Sequence, residues 1–198
     1  MPRLTFWYDF ASTYSYIAAH TVGPAAEKAG VDVVWRPFLL GAVFAPQGLT
    51  DSPFNMFELK GRYMWRDMQR LADDNGLPFK RPEEFPQRSI LANRVAAVAG
   101  DRVGDVTRAI YSAEFGEGRP IATDEDLAPV LTGLGLDASA MLADAVSPEG
   151  KQALRSNTDA ALEAGVFGAP TFTTEDGEVF WGSDRLAQAL AWATSHTA

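Results

Sequence analysis

Leu4-Thr5-Phe6-Trp7-Tyr8-Asp9-Phe10-Ala11-Ser12-Thr13-Tyr14-Ser15-Tyr16 decides how this chain is read, because its hydrophobic pattern changes midway. Leu4 to Asp9 is a dense apolar and aromatic run of buried-strand type. From Tyr16 the apolar residues Tyr16, Ile17, Ala19, Val22 and Ala26 fall at helical spacing as far as Lys28, and Gly30 follows as a stop. Ser12 stands at the junction, where a serine hydroxyl is a favoured cap for the helix that starts there. The 198 residues contain no cysteine, so the chain supplies no thiol of its own at that helix start.

Outward from this unit, Val31-Asp32-Val33-Val34-Trp35-Arg36 reads as a second strand, and a strand-helix-strand start of this length predicts a right-handed parallel unit. Pro37, Gly41, Pro46, Gly48 and Pro53 punctuate a loop expected at the carboxyl ends of the strands, where it can close over a site. From Phe54 to about Gly165 the pattern is helical. Met56, Tyr63, Met64, Met68 and Leu71 form one helix, ended by Asn75-Gly76-Leu77-Pro78. Ile90 to Ala99, Val103 to Phe115, Asp124 to Leu134, Ala138 to Val146 and Pro148 to Ala164 supply more, several opened by Asp, Thr or Ser caps or by an early Pro. Strands then return: Pro170 to Thr174, a turn at Glu175-Asp176-Gly177, and Glu178 to Trp181 make a hairpin, and Gly182-Ser183-Asp184-Arg185 leads into a closing helix through Ala193. This order is an α/β class, a thioredoxin-like fold with a large all-helical insertion after the second strand. Residues 1–42 and 166–198 form the thioredoxin-like domain in this reading, and 43–165 the insertion.

Composition narrows the chemistry. A net charge of −9 opposes a nucleic-acid partner, since a polyanion meets repulsion unless one face is locally basic. The densest positive stretch, Lys60, Arg62, Arg66 and Arg70, reads chiefly as the solvated side of one helix. The start moves straight into a strand without a basic and apolar leader, and no apolar run approaches the ~20 residues of a membrane span. Together with the absence of cysteine this predicts a cytoplasmic protein without a membrane association. His20 and His196 make no credible metal site, and there is neither a phosphate-binding glycine loop nor a nucleophile elbow. Small-molecule chemistry is the class that remains.

Three ordered segments carry a family resemblance. Tyr8 to Tyr16, then Gly165-Val166-Phe167-Gly168-Ala169-Pro170-Thr171-Phe172, then Phe180-Trp181-Gly182-Ser183-Asp184-Arg185 resemble the signatures of 2-hydroxychromene-2-carboxylate isomerases and kappa-class glutathione transferases. These form the cysteine-less branch of the disulfide-oxidoreductase-like thioredoxin superfamily. Lys60-Gly61-Arg62-Tyr63-Met64 adds a weaker match. The resemblance implies glutathione as cofactor, an aromatic keto acid as substrate, and a homodimer. The implied reaction is the interconversion of 2-hydroxychromene-2-carboxylate with trans-o-hydroxybenzylidenepyruvate, used in degradation of naphthalene-like aromatics.

With that resemblance in place, Ser12 is the candidate catalytic residue. A thiol with a reference pKa of ~8.5 is mostly protonated at neutral pH, so a hydroxyl and helix N-terminal amides are needed to hold its thiolate. An ordinary N-cap places the hydroxyl at the same helix end, and the two roles are compatible. Thr13 departs from the proline of many relatives. Ala169-Pro170 resembles a cis-proline turn whose backbone pairs with the cysteinyl part of glutathione; the alternative is a trans proline beginning an edge strand. Ser183 and Asp184 are expected to bind the γ-glutamyl end, and Lys60 the other carboxylate end, against the alternatives of a helix cap with an exposed ion pair and a solvated lysine. Leu49 falls near the place of a family asparagine. Arg36, Arg88, Asn93 and Arg94 are open candidates for an acidic substrate or for structural pairing, and Tyr14 and Tyr16 for the cleft or the core. His20 is expected to be packed, not catalytic.

Overall fold

In a computed structural model, residues 1–45, 48 and 51–196 are described below. Pro46 and Leu49, both named above, lie outside the described residues. The strands are β1 (Arg3–Tyr8), β2 (Asp32–Pro37), β3 (Thr171–Thr174) and β4 (Val179–Trp181), in the sheet order β2-β1-β3-β4. β1 is central, parallel to β2 and antiparallel to β3, and β3 pairs antiparallel with β4. Because successive side chains of a strand point to opposite faces, Leu4, Phe6 and Tyr8 enter the large core while Trp7 enters a smaller cluster with Phe38, Leu40, Val43, Ala161 and Val166. Phe6 stacks at 5.3 Å on Phe172 of β3 and meets Trp35 of β2 edge-on at 5.3 Å. Each such buried aromatic contributes roughly 1.5–3 kcal/mol from burial, which makes β1 the strand that binds the sheet together.

The helix expected from the opening pattern is α1 (Thr13–Ala29), ended by Gly30 in the left-handed conformation at φ 67°. The central helices are α2 (Leu40–Phe44), α3 (Pro53–Met56), α4 (Glu58–Asp74), α5 (Ile90–Ala97), α6 (Val103–Tyr111), α7 (Asp124–Gly133), α8 (Ala138–Val146) and α9 (Pro148–Glu163), and α10 (Leu186–Ser195) closes the chain. α8 has the expected bounds, and α7 starts on the expected Asp124 behind a Thr123–Asp126 capping box.

Three details differ from the sequence pattern. The Pro/Gly-punctuated loop after β2 contains two short helices. Asp9 holds the Leu40 N–H at 2.7 Å where α2 begins, and the Ser52 hydroxyl accepts from the Phe54 N–H at 3.3 Å, with Pro53 in the first turn of α3. The helix expected to run from Met56 breaks at Phe57, which is extended at φ −121°, ψ 98°. Gly61 lets α3 fold back on α4, since a Cβ there would run into the Phe54 carbonyl. Finally, α6 does not continue as an α-helix to Phe115 but passes into a π-helical turn, Ser112–Gly116. Among the described residues no helix is long and apolar enough to cross a membrane, and no group of three or more His, Asp or Glu gathers as a metal site.

Candidate active site

The end of β1 is held by one carboxylate. Asp9 is buried, and its Oδ1 accepts from the Ala11 N–H at 3.0 Å and from Asn93 Nδ2 at 2.7 Å while Oδ2 accepts from the Leu40 N–H. A buried carboxylate with three donors is well satisfied, and here it pins the loop before α1 to α2 and α5. The Asp9 carbonyl accepts the Ser12 N–H at 2.9 Å and the Tyr111 hydroxyl at 2.8 Å. Ser12 is thereby fixed at the head of α1 in an extended conformation, with its Oγ accepting weakly from the Ser15 N–H at 3.4 Å. The expected N-cap is present.

From the other end of the chain, the Ala169–Pro170 peptide is cis, as the resemblance implied. The Ala169 carbonyl accepts the Ser12 hydroxyl proton at 2.9 Å, and the Ala169 N–H has no hydrogen-bond partner among the described residues. Gly182 sits at φ 114° and returns its N–H to the Pro170 carbonyl at 2.9 Å. Gly168 lies under Trp181, where a Cβ would stand 2.5 Å from Nε1. Phe167 and Trp181 pack at 5.1 Å, both partly exposed beside the cleft.

These segments and the start of α4 enclose a cleft of about 810 Å³. Ser12, Lys60, Ala169, Pro170, Ser183 and Asp184 all line it, so the structure brings the expected site residues together from both ends of the chain and from the helical region. One local expectation is corrected. Gly182 to Arg185 does not open α10 directly; Ser183–Arg185 form one 3-10 turn before it, without a side-chain cap bond, and Asp184 pairs with Arg185 at 3.5 Å on the surface. Lys60 is exposed, with its ammonium 4.6 Å from the Phe57 ring centroid.

The undecided residues separate. Tyr14 lines the cleft and donates to Asp67 at 3.0 Å; burial first, and then that carboxylate, push its phenol well above the ordinary range. Tyr16 is core, donates to the Pro78 carbonyl at 2.6 Å, and is pushed up to about 12 by burial. Arg36 is engaged by Asn157 at 2.7 Å and Asn93 by Asp9, and Arg94 lines neither this cleft nor its neighbour. His20 packs edge-on to Tyr16 at 5.0 Å, 3.3 Å from the Ser112 hydroxyl, and burial, with Arg108 second, lowers it to about 4. Sequence reasoning missed Asp67 and the clasp made by Asp9. A charged residue directly after the strand Arg3–Tyr8 was the available signal for Asp9, whereas Asp67 looked like any helix carboxylate.

Residues 3–191 match a family described as a DSBA-like thioredoxin domain. The chain is 30% identical over 183 residues to the 2-hydroxychromene-2-carboxylate isomerase of Pseudomonas putida, covering 91% of this chain and 89% of that one. It is also 30% identical over 204 residues to glutathione S-transferase kappa 2 of Caenorhabditis elegans, covering 92% and 88%. A solved structure of 2-hydroxychromene-2-carboxylate isomerase superposes with a TM-score of 0.86 at 27% identity, covering 96% of this chain and 93% of that one. The chain belongs to the DsbA-like thioredoxin family. Within that family its relatives are isomerases and glutathione transferases, and it is an enzyme of this group.

Proposed function

We propose that the protein is a glutathione-dependent isomerase that interconverts 2-hydroxychromene-2-carboxylate and trans-o-hydroxybenzylidenepyruvate, or a closely related aromatic keto acid. The observation that carries this reading is the Ser12 hydroxyl, set at a helix head in a chain without cysteine and lining a cleft with room for a tripeptide and a small acid. The donor set fits glutathione. The Ala169 backbone offers an N–H and a carbonyl to an extended peptide, Ser183 and Asp184 suit an amino-acid end, and Lys60 suits a carboxylate. Glutathione held there would supply a nucleophilic thiol for reversible addition to a conjugated double bond, which would become a rotatable single bond and re-form when the thiol left. Ser12 turns its proton from Ala169 toward the sulfur, and the first N–H groups of α1 add the positive end of the helix. Phe44, Phe54 and Phe167 line the same cleft and keep water from the reacting atoms. A homodimer in the cytoplasm is the setting this reading implies.

The similarity to a kappa-class transferase supports a second reading, in which the same site keeps the adduct. Turnover with substoichiometric glutathione separates the two. An isomerase converts many equivalents of substrate while free thiol stays constant, and S-methylglutathione occupies the site without supporting reaction. A stoichiometric fall in thiol with a stable conjugate identifies the transferase. Saturable glutathione binding without any turnover leaves only a binding protein, and full activity in thiol-free buffer defeats every glutathione reading.

A further inference from the structure

α6 presents a stripe of buried polar groups to the end of β1. The Thr107 and Tyr8 hydroxyls are hydrogen-bonded at 2.6 Å, and one turn on the Tyr111 hydroxyl donates to the Asp9 carbonyl at 2.8 Å. The next position of that stripe falls in the π-helical turn Ser112–Gly116 and is Glu114. The wider winding of this turn, with the Glu117 N–H bonded back to the Ser112 carbonyl at 2.9 Å, seats Glu114 and Phe115 side by side in the interior, both at 0% exposure. Single π-turns of this kind are frequent at functional sites. Neither Glu114 oxygen meets a hydrogen-bond partner among the described residues, and the charge that acts on it is the Asp9 carboxylate. A buried carboxylate without a cation or a donor sheds its charge by keeping its proton, so Glu114 is a hydrogen-bond donor as well as an acceptor.

Asn93 and Ser15, equally buried, bring unmatched atoms to the same corner. Asn93 gives its Nδ2 to Asp9 at 2.7 Å, and its Oδ1 has no partner among the described residues. Ser15, whose N–H is accepted by Ser12 Oγ at 3.4 Å, turns its hydroxyl toward the Tyr111 phenol without reaching hydrogen-bond distance. The inventory is complementary. An amide oxygen accepts, a hydroxyl both donates and accepts, and a protonated carboxyl donates from one oxygen and accepts at the other. Both neighbours also support Ser12, Asn93 through the Asp9 clasp on the loop before α1 and Ser15 through its own N–H. We infer that Glu114 is a positioning residue for Ser12, joined through internal water to Asn93 and Ser15 so that one carboxyl proton fixes both supports of the Ser12 hydroxyl. Buried polar groups spaced beyond a direct bond are bridged in this way. The inference rests on the proposed function for its effect on the reaction, and on the structure alone for the network.

The test compares the full-length protein with Glu114→Gln, Glu114→Leu and Ser15→Ala, by steady-state kinetics with glutathione and trans-o-hydroxybenzylidenepyruvate and by crystal structures. The unaltered crystal is expected to show a water within hydrogen-bond distance of Glu114 and of Asn93 or Ser15. Glu114→Gln keeps a donor and an acceptor and should hold kcat within about two-fold, whereas Glu114→Leu, of similar volume, should lower it about ten-fold with the glutathione KM nearly unchanged. Ser15→Ala removes one arm of the network and should lower kcat several-fold, a readout that stands even where the leucine variant does not fold. In crystals of either damaging variant the Ser12–Ala169 hydrogen bond should be lost. A dry corner around Glu114, full kcat in Glu114→Leu, equal losses in the glutamine and leucine variants, or unchanged kcat in Ser15→Ala overturns the positioning role. If the unaltered protein neither binds glutathione nor turns over, the proposed function falls and the crystals decide the positioning role, upheld by the bridging water together with a displaced Ser12 and overturned by an unmoved one.

Discussion

The Ser12 hydroxyl donates to the Ala169 carbonyl at 2.9 Å across 157 positions of sequence. One proton thus joins the helix head to the proline turn, and in the proposed function the thiolate of glutathione competes with a neutral carbonyl for it. An anion is the stronger acceptor, so in that reading ligand binding is coupled to the rotation of a single hydroxyl.

Ser12→Ala is expected to lower turnover by ~10²-fold, the usual effect of deleting one preorganised donor. Stability should fall by about 1 kcal/mol through the lost N-cap, a change readable by urea denaturation and too small to explain the kinetics. A folded variant with undiminished kcat removes Ser12 from the chemistry.

Asp184→Ala and Lys60→Ala should each raise the apparent glutathione constant more than they reduce kcat, because the proposed function sets both groups at the ends of the peptide and not at the sulfur. Steady-state kinetics at varied glutathione reads this split. Since the Arg185–Asp184 pair is exposed, thermal midpoints should barely move. An unchanged glutathione constant in either variant takes that residue out of the site.

Gly168→Ala tests the close approach of Trp181. The new Cβ would stand 2.5 Å from Nε1, so the indole must move and the cleft wall with it. Tryptophan emission should shift and glutathione affinity drop in a folded protein. Gly133→Ala is the control: nothing lies within 4 Å of a Cβ there, and the change should be neutral or slightly stabilising.

His20 gives a defined acid sensitivity. Its folded value is lowered to about 4 from an ordinary 6.5, so between those pH values the unfolded chain holds the extra proton. Stability must then fall as pH drops from about 6.5 to about 4, with no further loss from this group below that. His20→Gln should flatten this part of the profile in denaturant midpoints taken against pH. An unchanged slope rules out a buried neutral imidazole.

Glu114 makes the opposite prediction. Both of its oxygens are buried without partners among the described residues, and burial, with Asp9 second, holds its pKa well above the carboxylate range. A raised acid stabilises fully below its unfolded value, and that contribution is lost as pH climbs toward the folded value. Glu114→Gln should therefore match the unaltered protein near pH 4.5 and exceed it in denaturant midpoint at pH 8. Equal midpoints at both pH values would falsify the buried neutral acid.

The sequence was most legible where periodicity and caps agreed. β1, α1 and α8 follow from local pattern, and Thr123 announces α7. Local pattern gave Ser12 as a helix cap, whereas its expected place in a site and the cis form of Ala169-Pro170 came through the family resemblance, because a cap looks the same with or without a ligand and a proline does not announce its isomer. The remaining parts of the site arise from long-range placement. Asp67 meets Tyr14 only after α4 folds across α1, and the Asp9 clasp needs α5 to deliver Asn93. The 3-10 turn at Ser183 differs from a helix start by a few degrees of backbone, below what residue preference resolves.

The sheet order sets a timetable for synthesis. β1 finds β2 within the first forty residues of the chain, but its other neighbour, β3, begins at Thr171, after α1 to α9 have been made. Until then one edge of the most aromatic strand faces outward, open to pairing with another nascent chain. A ribosome paused anywhere in α4 to α9 holds a half-built sheet, so slow translation there should cost this protein more in aggregation than the same pause after Trp181.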